Sequence, residues 1–247
     1  IKNEDLIIDE NIDINNPITN QIAKLTTNDA DSDDTFTYEL INGKGDIDNK
    51  LFYIDENILK INSSPNYETK SSYEIRLKTT DRGGYSSEKS FDIKINNIND
   101  VPQEINLSKI SFDENIIIDS IVASLSTFDE DYDDSHTYSL IDGQGDTDND
   151  SFTIDGNKLK INFSPDYETK SSYAIRLKTT DSEGLSYEEE IKLSVKDINE
   201  VATGISLSTS NFKENINPET EIAILSTIDP DATDSHTYEL ISGEGDT

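Results

Sequence analysis

Apolar and polar residues alternate along this chain in short runs, and the runs come back after 100 residues. In residues 101–200 the alternating pairs and triplets are Ile110/Phe112, Ile121/Ala123/Leu125, Tyr138/Leu140, Phe152/Ile154, Leu159/Ile161, Tyr173/Ile175/Leu177 and Ile191/Leu193/Val195. Residues 1–100 match from the second run onward with Ile22–Leu25, Tyr38/Leu40, Phe52/Ile54, Leu59/Ile61, Tyr73/Ile75/Leu77 and Phe91/Ile93/Ile95. A period of two marks half-buried β-strands. Turn-forming residues separate the runs at Gly43–Asn49, Asp55–Asn57, Ser63–Asn66 and Asp81–Gly84. No stretch holds a helical period. Seven short strands in about 100 residues predict an all-β fold of tandem immunoglobulin-like sandwiches. The Cys…Trp…Cys pattern of true immunoglobulin domains is absent, because the chain has neither residue.

The repetition sets the domain organisation. Asn62–Asp81 returns as Asn162–Asp181 with few changes, and Gly43-Lys-Gly45-Asp46 returns at Gly143 and at Gly243. The expected units are residues 1–100, 101–200 and a partial third repeat, 201–247, carrying three of seven strands. Three strands bury only part of a sandwich core, so the partial repeat is expected to be unstable alone. The first residue is Ile1 and the last falls partway through a repeat. The expectation is a segment of a longer protein whose address and anchor lie elsewhere. No signal peptide, transmembrane run or lipidation motif is visible.

Charge then changes the picture. The net charge is -32, from 52 acids against 20 bases. That argues against nucleic acid or an anionic membrane as a direct partner. It also opposes compaction, unless bound cations neutralise part of it. The acids recur at fixed places rather than in homopolymeric runs, which favours cations over a merely solvated surface. Strand alternation argues against disorder. There are no cysteines, so disulfides and thiolate chemistry are excluded.

The fixed places are informative. In an antiparallel meander, the connection after the first strand, that before the sixth and the end of the seventh fall at one end of a repeat. Glu114, Asp166-Tyr167-Glu168 and Asp197-Ile198-Asn199-Glu200 lie there. Asp129-Glu-Asp131 and Asp181 fall at the opposite end. Stacking two repeats end to end would bring Glu10, Glu68 and Asp100, with Asn66, Asn97 and Asn99, onto Asp129, Asp131 and Asp181. So many carboxylates cannot all stay ionised without counter-charge. Calcium suits such a set, being a hard cation with about six to eight oxygen ligands.

These motifs resemble the cadherin repeat, in wording most like its bacterial branch. The resemblance covers the whole chain. It rests on Glu10 and Glu114; on Asn66-Tyr67-Glu68 and Asp166-Tyr167-Glu168; and on Asn97-Ile98-Asn99-Asp100 and Asp197-Ile198-Asn199-Glu200. It rests also on Asp29-Ala-Asp31, Asp129-Glu-Asp131 and Asp229-Pro-Asp231, and on Asp81 and Asp181. It implies Ca2+ at these residues, calcium-dependent rigidity and cell adhesion, an extracellular or cell-surface location, and no enzymatic activity. The implied partners are neighbouring repeats of the same chain and homophilic or glycan surfaces, with no membrane insertion by this segment. The linkers depart from the family pattern. Asn99-Asp100-Val101-Pro102 lacks the family's final Asn, and Asn199-Glu200-Val201-Ala202 lacks the Pro as well. Asn66 and Asn97 stand where the second linker set has Asp166 and Asp197, so the first set is expected to bind calcium more weakly. A carbohydrate-binding module and a passive spacer are the other classes the sequence admits.

Weaker signals have plainer readings. Gly145–Asp150 spaces acids like a calcium loop, but the twelfth position holds Asn157, so a turn is expected. His136 and His236 share a position with Phe36 and are expected as strand residues beside Tyr138 and Tyr238. Tyr67 and Tyr167 could stack on a sugar, and packing beneath the acidic cluster is the expected role. Paired acids suggest a glycosidase, but their recurrence in tandem copies argues for a structural role.

Overall fold

The computed structural model describes residues 6–30 and 33–243. The chain forms two compact units. One runs to Asp100 and takes in Glu130–Asp133; the other holds Val101–Asp129 and the residues from Asp134 onward.

The first unit is a two-sheet sandwich of seven strands: β1 (Leu6–Asp9), β2 (Gln21–Lys24), β3 (Phe36–Leu40), β4 (Phe52–Asp55), β5 (Ile58–Ile61), β6 (Ser72–Asp81) and β7 (Ser86–Asn96). One sheet has the order β1-β7-β6-β3 and the other β2-β5-β4. Its core is Ile22, Leu25, Phe52, Leu59, Ile61, Tyr73, Ile75, Leu77, Ile93 and Ile95, drawn from the alternating positions of both sheets. Each such side chain contributes about 1.5–3 kcal/mol of transfer free energy when fully buried.

The second unit repeats this plan with one more strand. Its strands are β8 (Glu104–Leu107), β9 (Ser111–Asp113), β10 (Ile121–Phe128), β11 (Thr137–Leu140), β12 (Phe152–Asp155), β13 (Lys158–Ile161), β14 (Ser172–Thr180) and β15 (Ser186–Lys196). The sheets are β12-β13-β10-β8 and β11-β14-β15-β9. The edge strand predicted at Ile110/Phe112 is β9, which holds Phe112 but not the exposed Ile110, and β8 is an additional strand on the other sheet. β8 pairs antiparallel with β10, and β9 pairs parallel with β15. β1 is likewise parallel to β7, so neither sandwich is wholly antiparallel.

The partial third repeat lies in the second unit and forms β16 (Gly204–Leu207) and β17 (Leu225–Ile228). The third strand expected at Tyr238/Leu240 is not formed, and Leu240 is fully exposed. β3 pairs with β6 and β11 with β14. Among the described residues after Ile228, nothing supplies the matching partner. Also among the described residues, no helix is long and apolar enough to cross a membrane.

The chain around Gly45 and Gly145 closes as a turn. Asp46 Oδ2 accepts from the Gly43 amide at 2.9 Å, and Asp146 Oδ2 from the Gly143 amide at 2.8 Å. Gly43 and Gly143 sit at φ 147° and 151°, a backbone region that side chains disfavour. A short 3₁₀ turn follows at Asn49–Leu51 and again at Asn149–Ser151. Asp48 is buried, pairs with Lys70 and accepts from the Glu74 amide. These carboxylates are satisfied by the protein itself, as a plain turn requires.

Candidate metal centres

Glu10 follows β1 and is 3 % exposed. Its two carboxylate oxygens are bound by backbone amides. The Ile98 amide donates to Oε1 at 2.8 Å and the Tyr67 amide to Oε2 at 2.6 Å. One side chain thus ties the loop before β6 to the segment after β7. Asn11, in the left-handed region at φ 56°, turns the chain there. Its amide donates to Asp100 Oδ1 at 2.8 Å. Glu10, Glu68 and Asp100 present carboxylate oxygens that all lie within 4.8 Å of one another.

Two acids of the Glu130–Asp133 segment join this set within the first unit. The Asp100 amide donates to Asp131 Oδ2 at 2.6 Å, and the Asn66 side-chain amide donates to Glu130 Oε2. The electrostatic consequence is direct. Desolvation, reinforced by the charges of Glu10 and Asp131, raises the Glu68 carboxyl above its ordinary value. Asp100 is raised by desolvation and by Glu10, Glu130 and Asp131. Asp100 Oδ2 is buried without a hydrogen-bond partner. An orphaned buried oxygen among like charges fits a cation.

The second unit builds the same site 104 residues on from Glu10. Glu114 is 2 % exposed and accepts from Ile198 N at 2.8 Å and Tyr167 N at 2.7 Å. Asn115, at φ 57°, donates to Glu200 Oε1 at 2.8 Å. Glu114, Glu168 and Asp197 have carboxylate oxygens within 4.8 Å of one another. The Glu200 amide donates to Asp231 Oδ2 at 2.6 Å, bringing in the third repeat's acidic loop. Desolvation, with Asp231, Glu114 and Asp234, raises Asp197. A backbone hydrogen bond lowers Glu168, but desolvation and the charges of Glu114, Asp197 and Glu200 outweigh it, so it too is raised.

The remaining predicted residues fall in several places. Asn99 and Asn199 donate to the carbonyls of Asp100 and Glu200 at 3.1 and 3.0 Å, shaping the linkers. Asn97 is exposed. Asp166 Oδ1 accepts from the Thr169 amide at 2.8 Å, as Asn66 Oδ1 does from Thr69 at 2.7 Å. Asp181 is buried, and its Oδ1 takes the amides of Glu183, Gly184 and Leu185 across the turn into β15. Asp29 and Asp81 line a cavity of about 280 Å³ with Phe36, Tyr38 and Tyr85. Asp31 lies outside the described residues.

Asp129 groups with Asp134 and His136, and Asp229 with Asp231 and Asp234. The histidines differ from expectation for that reason. His136 precedes β11, and its Nε2 lies 2.8 Å from Asp129 Oδ2; His236 meets Asp229 at the same distance. Tyr167 packs against the hydrophobic core beneath the second cluster, while Tyr67 remains 37 % exposed. Sequence reasoning passed over Asp134, Asp234 and Glu130; the first two recur in register with Asp34, a signal that could have found them, whereas Glu130 has Ala30 and Pro230 as counterparts.

No protein-family model matches the chain. Solved structures do. The chain is similar to human protocadherin-24 EC1-2, at TM-score 0.57 and 20 % identity over 78 % of this chain and 95 % of that one. It is similar also to extracellular cadherin domains 3–6 of protocadherin gamma B2, at TM-score 0.54 and 20 % identity over 93 % of this chain. A third is the protocadherin gamma B7 EC3-6 cis-dimer, at TM-score 0.52 and 22 % identity over 93 % of this chain. The chain spans 55 % of the length of each of the latter two. The fold is that of tandem cadherin-type repeats.

Proposed function

We propose that this segment is a calcium-binding extracellular repeat array whose linkers are stiffened by the ion and which serves cell adhesion. The observation that carries this reading is the pair of matching carboxylate clusters around Glu10 and Glu114. In each, a buried glutamate holds two other carboxylates in place through backbone amides, and the neighbours are pushed toward protonation. Such an arrangement is unfavourable without a cation and favourable with one.

The first cluster would use Glu10, Glu68, Asn97, Asn99, Asp100 and Asp131. The second would use Glu114, Asp166, Glu168, Asp197, Asn199, Glu200 and Asp231. Asp29, Asp31, Asp81, Asp129, Asp181 and Asp229 complete the set by resemblance. Calcium would screen the repulsion among these acids and fix the linker backbone at Ile98 and Ile198. At the second cluster, Glu200 and Asp231 belong to one compact unit, so a cation there would tie the third repeat's loop to the second repeat.

Adhesion between copies is the finer part of the proposal, supported by the fold and by a neighbour solved as a cis-dimer. Beads coated with residues 1–247 test it. Clustering in calcium that EDTA reverses supports adhesion. Beads that bind calcium yet stay dispersed mark the segment as a spacer.

A further inference from the structure

We infer that Asp129, Asp134 and His136 form a site for a transition-metal dication of the Zn2+ class, in addition to the carboxylate clusters assigned to calcium. The three ligand atoms lie within 4.8 Å of one another. They come from one loop of eight residues between β10 and β11, so little chain has to be ordered to assemble them. The Asp129 and His136 side chains are 3 % and 11 % exposed, with Oδ2 and Nε2 2.8 Å apart. An ordinary hydrogen bond would explain that pair alone. It does not explain Asp134, whose Oδ2 is buried with no hydrogen-bond partner. The other oxygen of Asp134 is already engaged by the Ser135 amide and the Ser182 hydroxyl.

The donor set selects the ion. Calcium takes oxygen ligands, whereas imidazole nitrogen suits zinc and its neighbours. One imidazole, two carboxylates and a water make a four-coordinate zinc site. The His–Asp pair alone recurs in the third repeat, where His236 meets Asp229 at 2.8 Å; the cluster there, Asp229, Asp231 and Asp234, is all carboxylate. The first repeat has Phe36 at this position and no nitrogen donor there. The inference rests on the calcium reading only in that Asp129, and in the third repeat Asp229 and Asp231, appear in both.

The test uses the metal-stripped chain, titrated with Zn2+ by calorimetry. The imidazole proton resonances are followed in parallel, because only two histidines are present. Titrations run with and without about 10 mM Ca2+, a concentration above the expected calcium constants. One zinc ion is expected for the parent, with the His136 imidazole signal shifting, and markedly weaker binding for His136→Phe, which installs the residue the first repeat already carries. Loss of one ligand should weaken that site about 10-fold or more. Asp134→Asn should weaken it too, with the imidazole still folded in place. Zinc binding that is unchanged in the His136→Phe/His236→Phe double variant would overturn the inference. So would imidazole signals that do not move at about 1 mM Zn2+. The melting response to calcium, recorded on the same samples, reports separately on the calcium reading.

Discussion

Replacing Glu114 by alanine separates two roles of one carboxylate. Glu114 is 2 % exposed, and each oxygen accepts a backbone amide, from Ile198 at 2.8 Å and from Tyr167 at 2.7 Å. Hydrogen bonds to a charged group contribute about 1.5–3 kcal/mol each, so losing both costs roughly 3–6 kcal/mol. The same charge repels Glu168 and Asp197 across distances within 4.8 Å. Both of those partners are open to solvent, which screens the repulsion, so its relief offsets only part of the loss. The net expectation in EDTA is destabilisation, by somewhat less than that roughly 3–6 kcal/mol. Urea unfolding followed by circular dichroism, with EDTA and with calcium, measures it. Calcium should widen the gap between parent and variant, because the variant has lost a ligand. A variant as stable as the parent in EDTA would refute the reasoning, since the hydrogen bonds would then contribute less than the repulsion they accompany.

Two further expectations concern the carboxylate clusters and a third the buried hydroxyls of the core. Glu68, Asp100, Glu168 and Asp197 are all raised in the folded state, so the folded chain holds more protons than the unfolded one at mildly acidic pH. Metal-free stability should therefore rise as pH falls from neutrality toward about 5, whereas calcium's stabilisation should grow in the opposite direction; melts across pH in EDTA that fall steadily on mild acidification would contradict this. Asn66→Asp sets a carboxylate against Glu130 in place of an amide donor; its melting temperature should drop in EDTA and recover in calcium, with tighter calcium binding by calorimetry. Thr179→Val removes a hydroxyl that is 0 % exposed and 2.7 Å from Thr127, which also bonds Tyr138. It should cost about 1–3 kcal/mol in urea unfolding, with or without calcium.

The repeat and the strand positions could be read because burial imposes the alternation directly. Leu59, Ile61, Ile75 and Ile93 are nearly inaccessible, and their polar neighbours face out. The glutamates could be read because their spacing follows the turns between strands. β8 was not, since four residues with Ile105 as the only buried one make too short a pattern. Its break from β9 comes at residues 108–110, where the edge strand changes sheets. Asp134 was hidden for a different reason. Residues 129–134 contain five acids, so composition alone does not single it out, although its recurrence in register as Asp34 and Asp234, where Asp133 gives way to Thr233, could have. The fold half-buries Asp134 and leaves Asp133 exposed. His136 looked like a strand residue because Tyr138 two positions on truly is one, and only the turn of the loop aims the ring at Asp129.

Calcium titration of the metal-stripped chain, read by calorimetry and by thermal melting together, addresses the central claim most directly. The account predicts saturable binding with dissociation constants on the order of 10⁻⁴ to 10⁻³ M. For a site near 10⁻⁴ M, about 10 mM calcium should add roughly 2.7 kcal/mol of stability. Both responses should shrink in the Glu10→Gln/Glu114→Gln variant. No binding heat and no rise in melting temperature up to about 10 mM calcium would contradict it, leaving the clustered acids a solvated feature of a cadherin-type fold.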